Sequence, residues 1–254
     1  MEPERATDRS LYLVSGPEQE GFLQGLVSND VRQLKDGLVY AALLSPQGKY
    51  LADFFLVPRP DGVLIDVQSD LAAGLIRRLS MYKLRADVQI APSALHVSRG
   101  LSPLPTGALA DPRHPALGWR LYGTAEGGAP QIDWDAIRVA HCIPESGIEL
   151  VPDDSYILEA GFERLHGVDF RKGCYVGQEV TARMKHKTEP RKGLTRVAIS
   201  GVAAPGAAIL SVDGKEAGQL FTRSGDAALA HLRFDRAEGP MTAEEAQLQR
   251  LPDN

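Results

Sequence analysis

The apolar pattern of this chain changes character near Pro190, and that change restricts the fold more than any other feature. Up to that point, runs of strand length alternate with helical stripes. From Lys192 onward only short strand-like segments remain, "LTRVAISG", "AAILSVDG", "KEAGQLFTRSG" and "AALAHLRFDRA". Turn residues such as Asp213-Gly214 and Ser224-Gly225 separate them. Such a series predicts a small all-β unit, a barrel or a sandwich. The last stretch, "EGPMTAEEAQLQRLPDN", is expected to form a short helix or to fray. Two domains are therefore expected, residues 1–189 and 190–254.

The longer first part reads as strands with helices between them. After the strand "LYLVSG" comes "PEQEGFLQGLVSND", in which Phe22, Leu23, Leu26 and Val27 share one helical stripe. "LVYAALLSP" and "KYLADFFLVPR" read as strands joined by the turn "SPQG", and "GVLIDVQ" follows as a third. "SDLAAGLIRRLSMYKLRA" starts with Ser69 or Asp70 as cap and places Leu71, Leu75, Leu79 and Tyr82 on one face. "DVQIAP" closes the unit as a strand. Helices on one face of a largely antiparallel sheet satisfy this order, so the fold class is α+β. Residues 100–131 are rich in Gly, Pro and Ala, with one strand, "LGWRLYG". "WDAIRVAHCI" is a helix expected to turn Ile137 and Cys142 inward, with Pro144 ending the run.

Composition narrows the partners. A hydrophobic share of 43% with 24% charged residues is that of a soluble globular chain. The net charge of -5 excludes the basic footprint of a non-specific nucleic-acid binder. No run approaches the roughly 20 apolar residues of a membrane span, so no membrane role is expected. Cys142 and Cys174 are too few for a disulfide framework and fit a reducing compartment. The opening "MEPERATDRS" has no apolar core, and its acidic residues argue against a transit peptide. The expected location is cytoplasmic.

The stretch with most chemistry is "DFRKGCYVGQEVTARMKHK", residues 169–187. Gly173 and Gly177 bracket Cys174-Tyr175-Val176, and glycine permits positive φ and close backbone approach. From Gln178 to about Met184 the residues favour helix, with Glu179 four positions before Arg183. This predicts a loop feeding a helix N-terminus, with Cys174 just ahead of it. The helix dipole and the charges of Arg171 and Lys172 would favour a thiolate. The same residues describe a small buried cysteine at a tight turn equally well. His166, Cys174 and His186 lack zinc-like spacing, so no permanent metal site is expected. The cations Arg183, Lys185, His186, Lys187, Arg191 and Lys192 form a solvated helix end or a surface for an anionic ligand or acidic partner.

"KGCYVGQE" is similar to the signature of the YgfZ-type folate-binding proteins, relatives of the glycine-cleavage T-protein. "FLQGLVSNDV", "SPQGKYLADFFLV", "IPESGIEL" and "AALAHLRFD" resemble other family blocks in family order, covering nearly the whole chain. "GQEVTARMKHKTEPRKGL" looks closest to the branch that includes mitochondrial iron–sulfur maturation factors and their bacterial counterparts. The resemblance implies ferredoxin-like α+β modules around a folate cavity and a C-terminal β-barrel. It also implies tetrahydrofolate or a one-carbon folate as ligand and a role in making or repairing [4Fe–4S] proteins. Implied partners are A-type carriers or client iron–sulfur enzymes, met by a monomer, with a cluster shared only transiently. Cys174 becomes the candidate reactive thiol, with Lys172 beside it. Asn29, Asp30, Glu145, Tyr175, Gly177, Gln178, Glu179 and Arg183 become candidates for the folate, Glu145 as carboxylate for the pterin edge.

One departure bears on the reaction. Aminomethyltransferases carry adjacent aspartates in the first hairpin, whereas this chain reads "GKYLADFF", with Ala52 before Asp53. Loss of a carboxylate there weakens aminomethyl transfer, the alternative function, because proton transfer needs a positioned acid or base. A scaffold that docks an acidic partner through the basic run is a third reading.

Overall fold

The computed structural model describes residues 3–187 and 190–252. The chain forms two compact units, Met1–Ile132 with Glu163–Val180, and Asp133–Phe162 with Thr181–Asn254. The boundary expected between residues 189 and 190 adjoins residues 188 and 189, which lie outside the described residues.

In the first unit the elements run β1 (Glu4–Arg5), β2 (Arg9–Ser15), α1 (Gln19–Gln24), β3 (Val39–Leu44), β4 (Tyr50–Arg59), β5 (Gly62–Gln68), α2 (Ser69–Lys83), β6 (Gln89–Pro92), β7 (His96–Gly100), β8 (Leu109–Ala110) and β9 (Trp119–Gly123). Five strands make an antiparallel sheet in the order β3-β4-β5-β2-β6, and four make a smaller sheet, β1-β7-β9-β8. The larger sheet is covered on both faces. Phe54, Leu56, Ile65 and Val67 point to one side, where Ala72, Leu75 and Leu79 of α2 complete an apolar core. Burying each large side chain there contributes about 1.5–3 kcal/mol.

Alternation places a different set on the other side. Asp66, wholly buried, accepts hydrogen bonds from Arg9 Nε (2.6 Å), Arg120 Nη1 (3.0 Å) and Tyr122 Oη (2.8 Å). Arg120 and Arg113 also pair with Asp111 and lie 4.0 and 4.8 Å from the centre of the Phe55 ring. Burial opposes the charge of both aspartates, yet the arginines hold their carboxyls below the ordinary value. Asp53 on the same face accepts from Tyr40 Oη (2.9 Å) and Tyr50 Oη (2.6 Å).

Three local expectations are corrected. The first helix stops at Gln24, and Leu26 and Val27 are buried in the turn beyond Gly25. The cap of α2 is Gln68, whose side-chain oxygen accepts from the N–H groups of Asp70 and Leu71, while the Ser69 hydroxyl pairs with Ser10. Tyr82 is exposed, because the packed stripe ends with Leu79 before the last turn.

In the second unit α3 (Trp134–His141) buries Arg138 and Val139, while Ile137 and Cys142 are only half-buried. Cys142 caps the helix in a left-handed conformation, φ 53°, which turns the chain away before a further apolar residue can join the stripe. The helix α4 (Gln178–Lys187) begins in the first unit and continues in the second. It leads to a closed six-stranded barrel, β10 (Lys192–Ser200), β11 (Ala208–Ser211), β12 (Glu216–Ser224), β13 (Ala227–Arg233), β14 (Met241–Ala243) and β15 (Ala246–Arg250). The C-terminal stretch is thus neither helical nor frayed: β14 and β15 form a hairpin, and β15 pairs with β10 to close the barrel. Alanines 217, 228, 230, 243 and 246 in its interior suit so narrow a barrel.

Candidate functional site

The cysteine loop belongs to the first unit and is lashed to the exit of α1. The Ser28 hydroxyl donates to the Gly167 carbonyl (2.6 Å), and the Asp169 N–H donates to the Ser28 carbonyl (3.1 Å). Asn29 Nδ2 donates to the carbonyls of Tyr40 (2.8 Å) and His166 (2.7 Å). Lys172, 4% exposed, sends its ammonium inward to the carbonyls of Gln24 (2.8 Å) and Val27. That ammonium also lies 4.9 Å from the centre of the Tyr175 ring. Burial pulls the Lys172 pKa down to about 8, against the opposing pull of Asp30 and Asp169.

Buried and exposed residues alternate along the signature. Lys172 and Tyr175 are buried; Gly173 and Cys174 between them are exposed. Val176 packs on the apolar core. Gly177, φ +82°, has space for no side chain: a Cβ there would stand 2.6 Å from the Ser45 carbonyl oxygen and 2.9 Å from Leu44 Cβ. Gly48, φ +74°, lies on the other side of this contact, where a Cβ would stand 2.7 Å from Val180 Cβ. The turn "SPQG" and the signature "KGCYVGQE", far apart in sequence, are therefore pressed together backbone to backbone. Two buried anchors and a glycine contact hold the loop, and the thiol projects from it. Cys174 is therefore not the small buried cysteine that one of the two readings described. The Lys172 charge is committed to the interior and is not presented beside it.

The expected folate residues divide. Asn29 has both amide hydrogens on backbone carbonyls, and its oxygen accepts from the Asp30 N–H. The Asp30 carboxylate caps the turn at Val31–Lys35 and is gripped by Arg32 (2.6 Å), which holds its pKa at about 2. These two residues position the loop, and their polar atoms are occupied within the chain. Gln178 is half-buried and Glu179 exposed at the start of α4. Glu145 and Arg183 lie in the second unit, Arg183 exposed. Glu145 is half-buried with its carboxylate 3.6 Å from Arg138 Nε, and its backbone N–H donates to Glu149. No side-chain hydrogen bond to the Glu145 carboxylate is formed among the described residues, so both oxygens keep the lone pairs that a pterin's paired N–H donors require.

Arg138 is the residue that sequence reasoning missed. It is buried and binds Glu149 (3.0 Å), Asp135 (2.8 Å) and the Ile143 carbonyl (3.1 Å). Burial opposes its charge, but Glu149 and Glu145 raise its pKa beyond the ordinary value. An arginine on the inward side of a short helix, seven and eleven residues ahead of two glutamates, was the available signal. Ala52 also acquires a reason. It points into the apolar core, on the side of the sheet opposite Asp53, so an aspartate at 52 would bury a charge among Leu and Val side chains. Among the described residues no three His, Cys, Asp or Glu side chains are grouped so as to hold a metal ion, and no helix is long and apolar enough to cross a membrane.

Comparison with known proteins gives a consistent picture. The family model of the CAF17 C-terminal β-barrel domain matches residues 191–253. The mouse mitochondrial iron–sulfur cluster assembly factor IBA57 is 32% identical over 282 residues, spanning 93% of this chain and 79% of the relative. A homologue from Mycosarcoma maydis is 34% identical over 94% of this chain and 65% of its own length. The crystal structure of aminomethyltransferase T of the glycine cleavage system from Bartonella henselae superposes with a TM-score of 0.75, over 99% of this chain and 85% of that one. At 12% identity that likeness concerns the fold alone. The cytoplasmic location expected from composition is contradicted, since both relatives are mitochondrial proteins. Free cysteines speak for reducing conditions without assigning them to one compartment. On identity and coverage together, the chain belongs to the family of the iron–sulfur cluster assembly factor IBA57, carried on the aminomethyltransferase fold.

Proposed function

We propose that this chain is an accessory factor in the assembly or repair of iron–sulfur proteins, acting without substrate turnover of its own. The observation that carries the proposal is the exposed Cys174 between the buried anchors Lys172 and Tyr175. Thiolate sulfur is a soft ligand suited to iron and to iron–sulfur clusters. A single thiol cannot hold a cluster, so the remaining ligands would come from an A-type carrier or a client enzyme, with the cluster shared for the duration of the encounter. Aminomethyl transfer is disfavoured by Ala52, whose surroundings accept no carboxylate.

Tetrahydrofolate or a one-carbon folate forms the second part of the proposal. It rests on Glu145, backed by Arg138 and retaining acceptor capacity, both within the second unit. Bound folate would supply a one-carbon unit or an oxidisable tetrahydropterin; the chain would contribute binding and orientation. The test of the first part is complementation. In cells lacking their own copy, Cys174→Ser should fail to restore [4Fe–4S] enzyme activities at equal protein level, and full restoration would refute the role of the thiol. For the second, titration calorimetry with tetrahydrofolate should give heat that Glu145→Gln removes; no heat from the natural chain would end the folate reading.

A further inference from the structure

The last turns of α2 and the chain just beyond them carry a surface that neither the fold nor Cys174 explains. Over residues 76–86, "IRRLSMYKLRA", there are four cations and no acid, in a chain whose total charge is -5. Arg77, Arg78, Lys83 and Arg85 make no ion pair or side-chain hydrogen bond among the described residues. Among them stand three large apolar side chains in solvent, Met81 (70% exposed), Tyr82 (40%) and Leu84 (87%). Arg77 and Met81 lie one turn apart, on the side of α2 away from the buried stripe of Ala72, Leu75 and Leu79. Glu18 and Asp87 border this stretch, the Glu18 carboxylate accepting the Asp87 N–H, and neither carboxylate pairs with any of the four cations among the described residues.

Cations near a helix C-terminus complement its dipole, which accounts for one or two charges but for none of the exposed apolar area. Met, Tyr and Arg together are what protein interfaces concentrate at their centres. Three of the four cations are arginines, whose planar fork matches a carboxylate with two parallel hydrogen bonds. A lipid surface suits the patch less well. A helix that lies in a membrane interface offers its continuous apolar face to the lipid, and that face of α2 is already committed to the core.

We propose that residues 77–85 form a docking surface for an acidic segment of a partner protein, one carrying apolar side chains among its carboxylates. The surface is independent of the role assigned to Cys174.

The test uses the full chain and a fluorescein-labelled synthetic peptide of repeated Glu-Leu-Glu-Glu, followed by anisotropy. The natural chain should bind it, more weakly as salt is raised. Arg77→Glu with Arg78→Glu should weaken binding about tenfold or more, and Met81→Ser with Leu84→Ser at least about fivefold. Arg77, Met81 and Leu84 are exposed and Arg78 is half-buried, and circular dichroism should give both variants the melting curve of the natural chain. A peptide of glutamate alone should bind more weakly than the leucine-bearing one. The proposal is overturned if the natural chain does not bind the peptide, or if the charge-reversed chain binds it equally. Preference for phosphatidylglycerol vesicles over the peptide would likewise overturn it, in favour of a membrane surface.

Discussion

Replacing Gly177 by alanine should separate the signature's structural demand from its chemical one. At φ +82° an L-residue carries a conformational penalty of about 1–2 kcal/mol. The added Cβ would stand 2.6 Å from the Ser45 carbonyl oxygen and 3.2 Å from Gly48 Cα, both backbone atoms that no rotamer change can clear. Such overpacking adds about 1–3 kcal/mol. Together these effects predict a loss of about 2–5 kcal/mol, a large part of the stability of an ordinary domain. Gly173, four residues earlier in the same signature, supplies the control. It has no neighbour within 4 Å of a built Cβ and no positive φ, so Gly173→Ala should be neutral or stabilise by about 0.4–1 kcal/mol. Urea unfolding of the two variants measures the difference, and labelling of Cys174 by iodoacetamide under native conditions reports whether the loop has loosened. Because Gly48 is the partner across the contact, Gly48→Ala and Gly177→Ala should combine non-additively. If the two glycine variants of the signature agree within about 0.5 kcal/mol, the backbone contact does not constrain the loop and the reasoning fails.

Other outcomes follow from the same geometry. Lys172→Met leaves two buried carbonyls without their donor and should cost about 2 kcal/mol at neutral pH. Because the folded pKa of Lys172, about 8, lies below its ordinary 10.5, the unfolded chain binds more protons between those values. Stability from this group therefore rises with pH across that window, by about 1–2 kcal/mol after solvent screening, and Lys172→Met should lack the rise in urea midpoints. Asp30 behaves in the same sense in the acid range: its contribution is complete above its ordinary value of 3.8 and disappears as pH falls through about 2. With Arg32 largely exposed, that contribution is about 1 kcal/mol or less, visible as a shallower acid limb in Asp30→Asn. Asp66→Asn leaves Arg9 and Arg120 buried with half their compensation and should cost about 3–5 kcal/mol in urea unfolding.

Alternation at period two made the sheet legible: "LADFFLV" and "GVLIDVQ" are strands wherever their side chains go. What alternation did not reveal is that both faces are covered. Asp66 is covered by Arg120, which comes from a stretch rich in Gly, Pro and Ala and also pairs with Asp111. The pairing depends on a contact across more than fifty residues, which no local pattern encodes. The closing hairpin was hidden for another reason. Met241, Ala243, Ala246 and Leu248 alternate inward, but Glu244-Glu245 at the turn gives the segment the composition of a helix end, and Glu244 adopts φ +49°. In the signature itself, the glycines and the helix after Gln178 were readable from residue type. The inward course of Lys172 was not, because a lysine beside an arginine suggests two solvated charges, and only the carbonyls of Gln24 and Val27 draw this one inside.

The interleaving of the two units in the chain has a bearing on synthesis. A ribosome delivers Met1–Ile132 first, yet the segment that completes this unit arrives only with Glu163–Val180. The intervening Asp133–Phe162 emerges before any barrel strand exists, so the buried Glu149 waits for the hydroxyl of Thr222, and Glu159 for the N–H of Leu194. A nascent chain stalled before β12 would expose Arg138 and Glu149 with their charges only partly answered, a substrate for chaperones or proteases. Premature termination ahead of β12 should therefore be felt at α3, far upstream, as well as in the barrel.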